Sequence, residues 1–135
     1  MMNAVRVTAI ACLMPLSELD DDPFLVDDRS QHEMCARWAQ DRDYRLTCRL
    51  SLHHLRADHG ALWQDVEAGL VDVFVVPNRR TLENAVDSAD EFSARCEAAG
   101  IRLETADLAE PVYTSAMKSQ VHRRLSMPTA GYNGC

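Results

Sequence analysis

Val71-Asp72-Val73-Phe74-Val75-Val76-Pro77 decides the fold. The run is short, β-branched and unbroken in apolar character after Asp72, as a strand covered on both faces requires, and Pro77 stops it. Such strands belong to parallel sheets flanked by helices, so the neighbouring segments should be helical. Upstream, Leu62, Trp63 and Val66 fit one helical face, with Asp58 placed to cap the helix and Gly69 to end it. Downstream, Leu82, Ala85, Val86, Ala89, Phe92 and Cys96 make an apolar stripe that predicts one helix from about Thr81 to Ala99. Gly100 then sits where a helix-ending glycine belongs, and Ile101–Thr105 reads as the next strand.

Working outward, Val5 to Met14 reads as a buried strand closed by Pro15. Ser30 is placed to cap a helix running to about Arg42, with Met34, Cys35, Trp38 and Ala39 on one face. From Tyr44 to Leu52, the residues Leu46, Cys48, Leu50 and Leu52 alternate with Arg45, Thr47, Arg49 and Ser51. A period of two means one wetter face, hence a strand at the sheet's edge. The alternation of strand and helix predicts an α/β domain: three layers, a mainly parallel sheet of about four to five strands, and helices on both faces. This domain is expected over residues 1–110. Residues 111–135 form an extension or tail, with a short helix near Ser115–Leu125 and a loose MPTAGYNGC end.

The chain has 135 residues, of which 47% are hydrophobic and 26% charged, the profile of one ordinary globular domain able to bury a core without staples. No run of 18 apolar residues exists, which excludes a spanning helix. The amino terminus lacks a basic start followed by a continuous apolar centre, so a cytoplasmic protein without a membrane partner is expected. Five cysteines, widely spread and without CxxC spacing, argue against a zinc site or a disulfide framework, and four of them lie in apolar patterns. The net charge is −7, and Glu18, Asp20, Asp21, Asp22, Asp27 and Asp28 supply nearly all of it. Lys118, Arg123 and Arg124 lie in a carboxyl-terminal stretch with no acid. Polyanion binding needs a basic surface, so the net charge does not favour DNA as a partner, and any such role would be local to a few arginines.

Sites in open parallel sheets lie at the carboxyl ends of strands. GxGxxG and GxxxxGK[ST] loops are absent, so no nucleotide cofactor is implied. The third strand ends in Pro77-Asn78 without an aspartate, which removes a phosphoacceptor receiver domain. Asp20, Asp21 and Asp22 offer oxygen ligands to a hard cation, or simply a solvated loop. His53, His54 and His59 lack the spacing that pairs ligands on a helix, and no metal is implied. Ser17 stands close behind strand one but has no legible base to activate it. Arg56, Arg79 and Arg80 precede the second and third helices, and are candidates to hold an anion at the edge of strands one and three, or to lie in solvent.

Three stretches carry a more specific signal: QHEMCARWAQDRDYRL (31–46), LWQDVEAGLVDVFVVP (62–77) and SADEFSARCEAAGIRL (88–103). They resemble the catalytic domain of the resolvase/invertase family, the serine recombinases, over about residues 4–107. In that family a serine just after strand one attacks the DNA phosphodiester, while arginines and an aspartate hold the phosphate. The resemblance implies that the family's Tyr-Ala-Arg-Val-Ser falls on Ile10-Ala11-Cys12-Leu13-Met14, which puts Cys12 in the arginine's place and Met14 in the nucleophile's. A thioether has no proton to lose and cannot form the ester. The family's Asp-Arg-Leu-x-Arg falls on Arg80-Thr81-Leu82-Glu83-Asn84, where Thr81 and Asn84 replace arginines. The arginine before the second helix is kept as Arg56, followed by Ala57 in place of the usual proline.

The expectation is therefore a recombinase-like domain without strand cleavage, acting as a protein-interaction or regulatory module through a partner or self-association. Phe24, Leu25 and Val26 are candidate contacts, or anchors of the acidic loop to the core. Two alternatives remain: an accessory DNA-binding protein using Arg79, Arg80 and the basic tail, and a phosphoryl-transfer enzyme with a relocated site at Ser17.

Overall fold

A computed structural model describes residues 4–52 and 60–126. Arg56, Ala57, Asp58, the three clustered histidines and the MPTAGYNGC tail lie outside the described residues. Four parallel strands form one sheet: β1 (Arg6–Cys12), β2 (Arg45–Leu52), β3 (Val73–Val76) and β4 (Arg102–Thr105), in the order β2-β1-β3-β4. β2 is at the edge, as its alternation predicts, and only Cys48 and Leu52 of its residues are buried. β3 is central and buried at every residue.

Because side chains alternate across a strand, β1 and β3 feed two cores at once. Val7, Ala9, Val73 and Val75 face α2 (Asp28–Asp41), packing with Met34, Cys35, Trp38 and Ala39. Ile10, Cys12, Phe74 and Val76 face the other side, with α3 (Gly60–Glu67), α4 (Arg79–Ala85) and α5 (Ala89–Ala98). There Trp63, Phe74 and Phe92 cluster with ring centroids 5.4–6.1 Å apart, a spacing that favours aromatic attraction beyond simple burial. The three-layer α/β expectation holds, with four strands. Gly69 and Gly100 both adopt positive φ, +73° and +76°, which explains glycine at the two helix-to-strand turns.

Three local expectations are corrected. The predicted helix over 81–99 is two helices, broken at Val86–Ser88, because the Ser88 side chain accepts a hydrogen bond from Glu91 N–H and starts α5 afresh. The first long helix is capped by Asp27, whose carboxylate accepts from Ser30 N–H, so Ser30 lies inside the first turn. The acidic loop is also more structured than a loop. A 3-10 turn at Leu16–Glu18 leads to a short helix α1 (Pro23–Val26), whose Phe24, Leu25 and Val26 are all buried. Those three residues anchor the segment and are not a contact surface. The carboxyl-terminal helix α6 spans Ser115–Ser126 and buries Val121 against Leu19 and Val26. No helix among the described residues is long and apolar enough to cross a membrane.

Candidate functional site

The carboxyl ends of β1 and β3 meet the turn and helix that follow β1, and a polar network closes the junction. Gln31, fully buried on α2, reaches across it. Its Oε1 accepts from Cys12 N–H at 2.8 Å, and its Nε2 donates to Phe24 C=O at 2.8 Å and to Cys12 C=O at 3.4 Å. A buried amide meeting both kinds of backbone group fixes the path of the chain at the end of the strand. Cys12 itself is sealed in. Its thiol donates to Leu25 C=O at 3.4 Å, and burial pushes its pKa up to about 12, so it is protonated at neutral pH.

Arg80 lies at the mouth of this junction. Its guanidinium donates to Asp22 from the segment after β1, and to both carboxylate oxygens of Glu110 at 2.6 and 2.7 Å. Asn78 adds a further donor, Nδ2 to Glu110 Oε2 at 2.9 Å, while its Oδ1 caps α4 by accepting from Thr81 N–H. The Thr81 hydroxyl in turn donates to Asn78 C=O. Arg79, one residue earlier, turns away to Glu83 at 3.3 Å and Asp90 at 2.8 Å. The two adjacent arginines thus serve different places.

A second polar centre lies under α6. The Asp27 carboxylate, 4% exposed as a residue, accepts from Ser30 Oγ at 2.6 Å, Tyr113 Oη at 2.7 Å and Arg124 Nη2 at 2.9 Å. Burial pushes its pKa up, but the hydrogen bonds from Ser30, Tyr113 and Arg124 outweigh it and hold Asp27 below the usual carboxylate range. Residues 107–126 form a strap that leaves the sheet at Asp107, whose φ is +52°, and crosses this centre. The sequence reading missed Asp22, Asp27, Glu110, Tyr113 and Arg124 as a set. No spacing signals them, because their partners are 30 to 97 residues away.

Among solved structures, the chain is similar to the crystal structure of the C-terminal catalytic domain of ISC1926 TnpA, an IS607-like serine recombinase. The TM-score is 0.57 at 16% identity, over 90% of this chain and 80% of that one. The fold is that of a serine-recombinase catalytic domain. No family model matches the sequence, and no curated protein matches it at a significant level.

In this recombinase fold, Cys12 is the last residue of β1 and Met14 lies two residues beyond, partly buried and packed against both the α3–α5 core and the α6 cluster. Thr81 is buried in the α4 cap, and Asn84 donates Nδ2 to Arg80 C=O at 2.9 Å. Ser17 is exposed in the 3-10 turn, and no described side chain hydrogen-bonds its hydroxyl. Of the acidic triplet, Asp22 is paired to Arg80, and Asp20 lies 3.8 Å from Lys118. Among the described residues, no three His, Cys, Asp or Glu side chains gather to hold a metal ion.

Proposed function

We propose that this chain is a recombinase-fold domain that does not cut DNA and that works by protein contact, as an interaction or regulatory module docking to a partner or to a second copy of itself. Met14 carries the reading. The residue at the nucleophile's position has a thioether, which cannot open a phosphodiester, and its packing into two apolar clusters gives it a structural occupation. The pairing of Arg80 and Arg79 with the chain's own carboxylates supports the same conclusion, since neither guanidinium waits open for a phosphate. Incubation with supercoiled plasmid should leave no covalent protein–DNA adduct and no relaxed product. An adduct that disappears in Ser17→Ala would replace this reading with the relocated-site enzyme. Sedimentation at micromolar concentration should give a mass above one chain, or reveal a heteromeric partner on pull-down.

A second reading has one observation in its favour. α6 contains no acid and exposes His122 and Arg123, with Lys118 half-buried beside them, along an open groove next to Leu19 and Asp20. An accessory DNA-binding role would show as duplex binding whose affinity falls steeply with salt, by a logarithmic slope of about −0.9 per phosphate contact. On the first reading that binding is absent at physiological salt.

A further inference from the structure

We propose that the strap is an autoinhibitory element: Glu110 occupies the Arg80 guanidinium, and an incoming oxyanion binds there only by displacing it. The inference goes beyond the proposed function and holds whether or not the chain cuts DNA. The donors and the acceptor differ in how they are built. Asn78 and Arg80 are fastened by the α4 cap directly behind β3, where every residue is buried. Their side chains alone supply the N–H groups; α4 has seven residues, too short to make an anion site of its own. Glu110, by contrast, lies in a stretch without helix or strand between β4 and α6, and its side chain is 33% exposed.

Three donor contacts therefore converge on a carboxylate that the core does not need. Nor does the strap need it to stay docked. Tyr113 and Arg124 hold Asp27, and Val121 is buried against Leu19 and Val26, all independently of Arg80. Asp22 holds another guanidinium nitrogen, Nη1, and keeps the fork oriented whether Glu110 is present or absent. An oxyanion with two acceptor oxygens can take over the contacts that Glu110 now makes. Being tethered, Glu110 competes at an effective concentration in the millimolar range, so weak ligands are turned away.

The test is an NMR titration of the full chain with inorganic pyrophosphate, following the Arg80 Nε and Asn78 Nδ2 resonances. Glu110→Gln keeps the shape and removes the charge. It should bind pyrophosphate at least about tenfold tighter than the parent chain, with the gain lost in Glu110→Gln/Arg80→Gln. Glu97→Gln, on the exposed face of α5, controls for the change in net charge. Tyr113→Phe leaves Glu110 and Arg80 intact but loosens the strap, and should raise the affinity by a smaller factor. A gain in Glu110→Gln no larger than that in the control, or one that persists without Arg80, overturns the proposal. Unchanged affinity in Tyr113→Phe overturns the strap's part in it.

Discussion

β3 and the strap lie side by side at the sheet's carboxyl edge, yet they are held by different forces. β3 is buried at every residue, and its cohesion is apolar area and close packing on both faces. The strap buries only Val121 among its described residues, with Leu108, Tyr113 and Leu125 half-buried against the apolar clusters, and its directed attachments are polar: Glu110 to Arg80 and Asn78, and Tyr113 and Arg124 to Asp27. Burial is non-directional and shared over many atoms, so it fails all at once. A few directed bonds can open and reclose while the core stays folded. The molecule thus has a sheet that must be intact and a cover that is separable from it.

The sharpest way to test the contrast starts in the sheet. Phe74 is 1% exposed and packs on Trp63 and Phe92. Phe74→Ala should cost about 3–5 kcal/mol, read as a lower urea midpoint for the whole chain, with β3 and strap amides losing protection together. A loss confined to the strap would contradict the division.

Next comes the junction at the end of β1, where α1 and α2 meet the sheet. Gln31→Leu fills the same space but strands Cys12 N–H and Phe24 C=O without their partners. Leaving buried backbone groups unpaired should cost about 2–3 kcal/mol, and Gln31→Glu should not rescue it, because a carboxylate cannot donate to Phe24 C=O. The same urea melts provide the measurement.

Asp27→Asn acts on the cover. It removes the charge that gathers Ser30, Tyr113 and Arg124, for about 1–3 kcal/mol, and hydrogen exchange should quicken in α6 while β3 amides stay protected. The pH dependence has a definite sign. The folded pKa of Asp27 lies below its unfolded value, so its contribution is complete above the ordinary carboxylate range and is lost as pH falls through the folded pKa. Strap protection should therefore fade on acidification in the parent chain and lose that Asp27-dependent step in Asp27→Asn.

The same contrast explains what the sequence discloses. Buried strands announce themselves, since Val71–Pro77 and the alternation of Arg45–Leu52 record which faces meet water. The break between α4 and α5 was hidden because Val86 and Ala89 both belong to the α3–α5 core and continue the stripe across it. At the candidate site, Arg80 was legible from its place after β3. Its partners were not, since Asp22 is 58 and Glu110 is 30 residues away, and surface carboxylates look alike before folding. Asp27 was concealed in an acidic run whose other members are exposed or half-buried, though it alone is buried.

The smallest effect belongs to the sheet's other edge. Arg6 and Asp72 join β1 to the turn before β3 by two side-chain hydrogen bonds of 3.1 Å, a two-nitrogen fork, whereas Arg80 meets both Glu110 oxygens through Nη2 alone. Both side chains are about two-fifths exposed, so water and salt screen the pair, and the strands beneath are already held by their ladder and their buried faces. Arg6→Gln should lower the thermal midpoint less than Asp27→Asn does, and raising the salt concentration should erase most of the difference from the parent chain. Good geometry alone would predict the reverse order. If Arg6→Gln proved the costlier change, directed bonds rather than burial would be holding the sheet, and the distinction between core and cover would fail at its root.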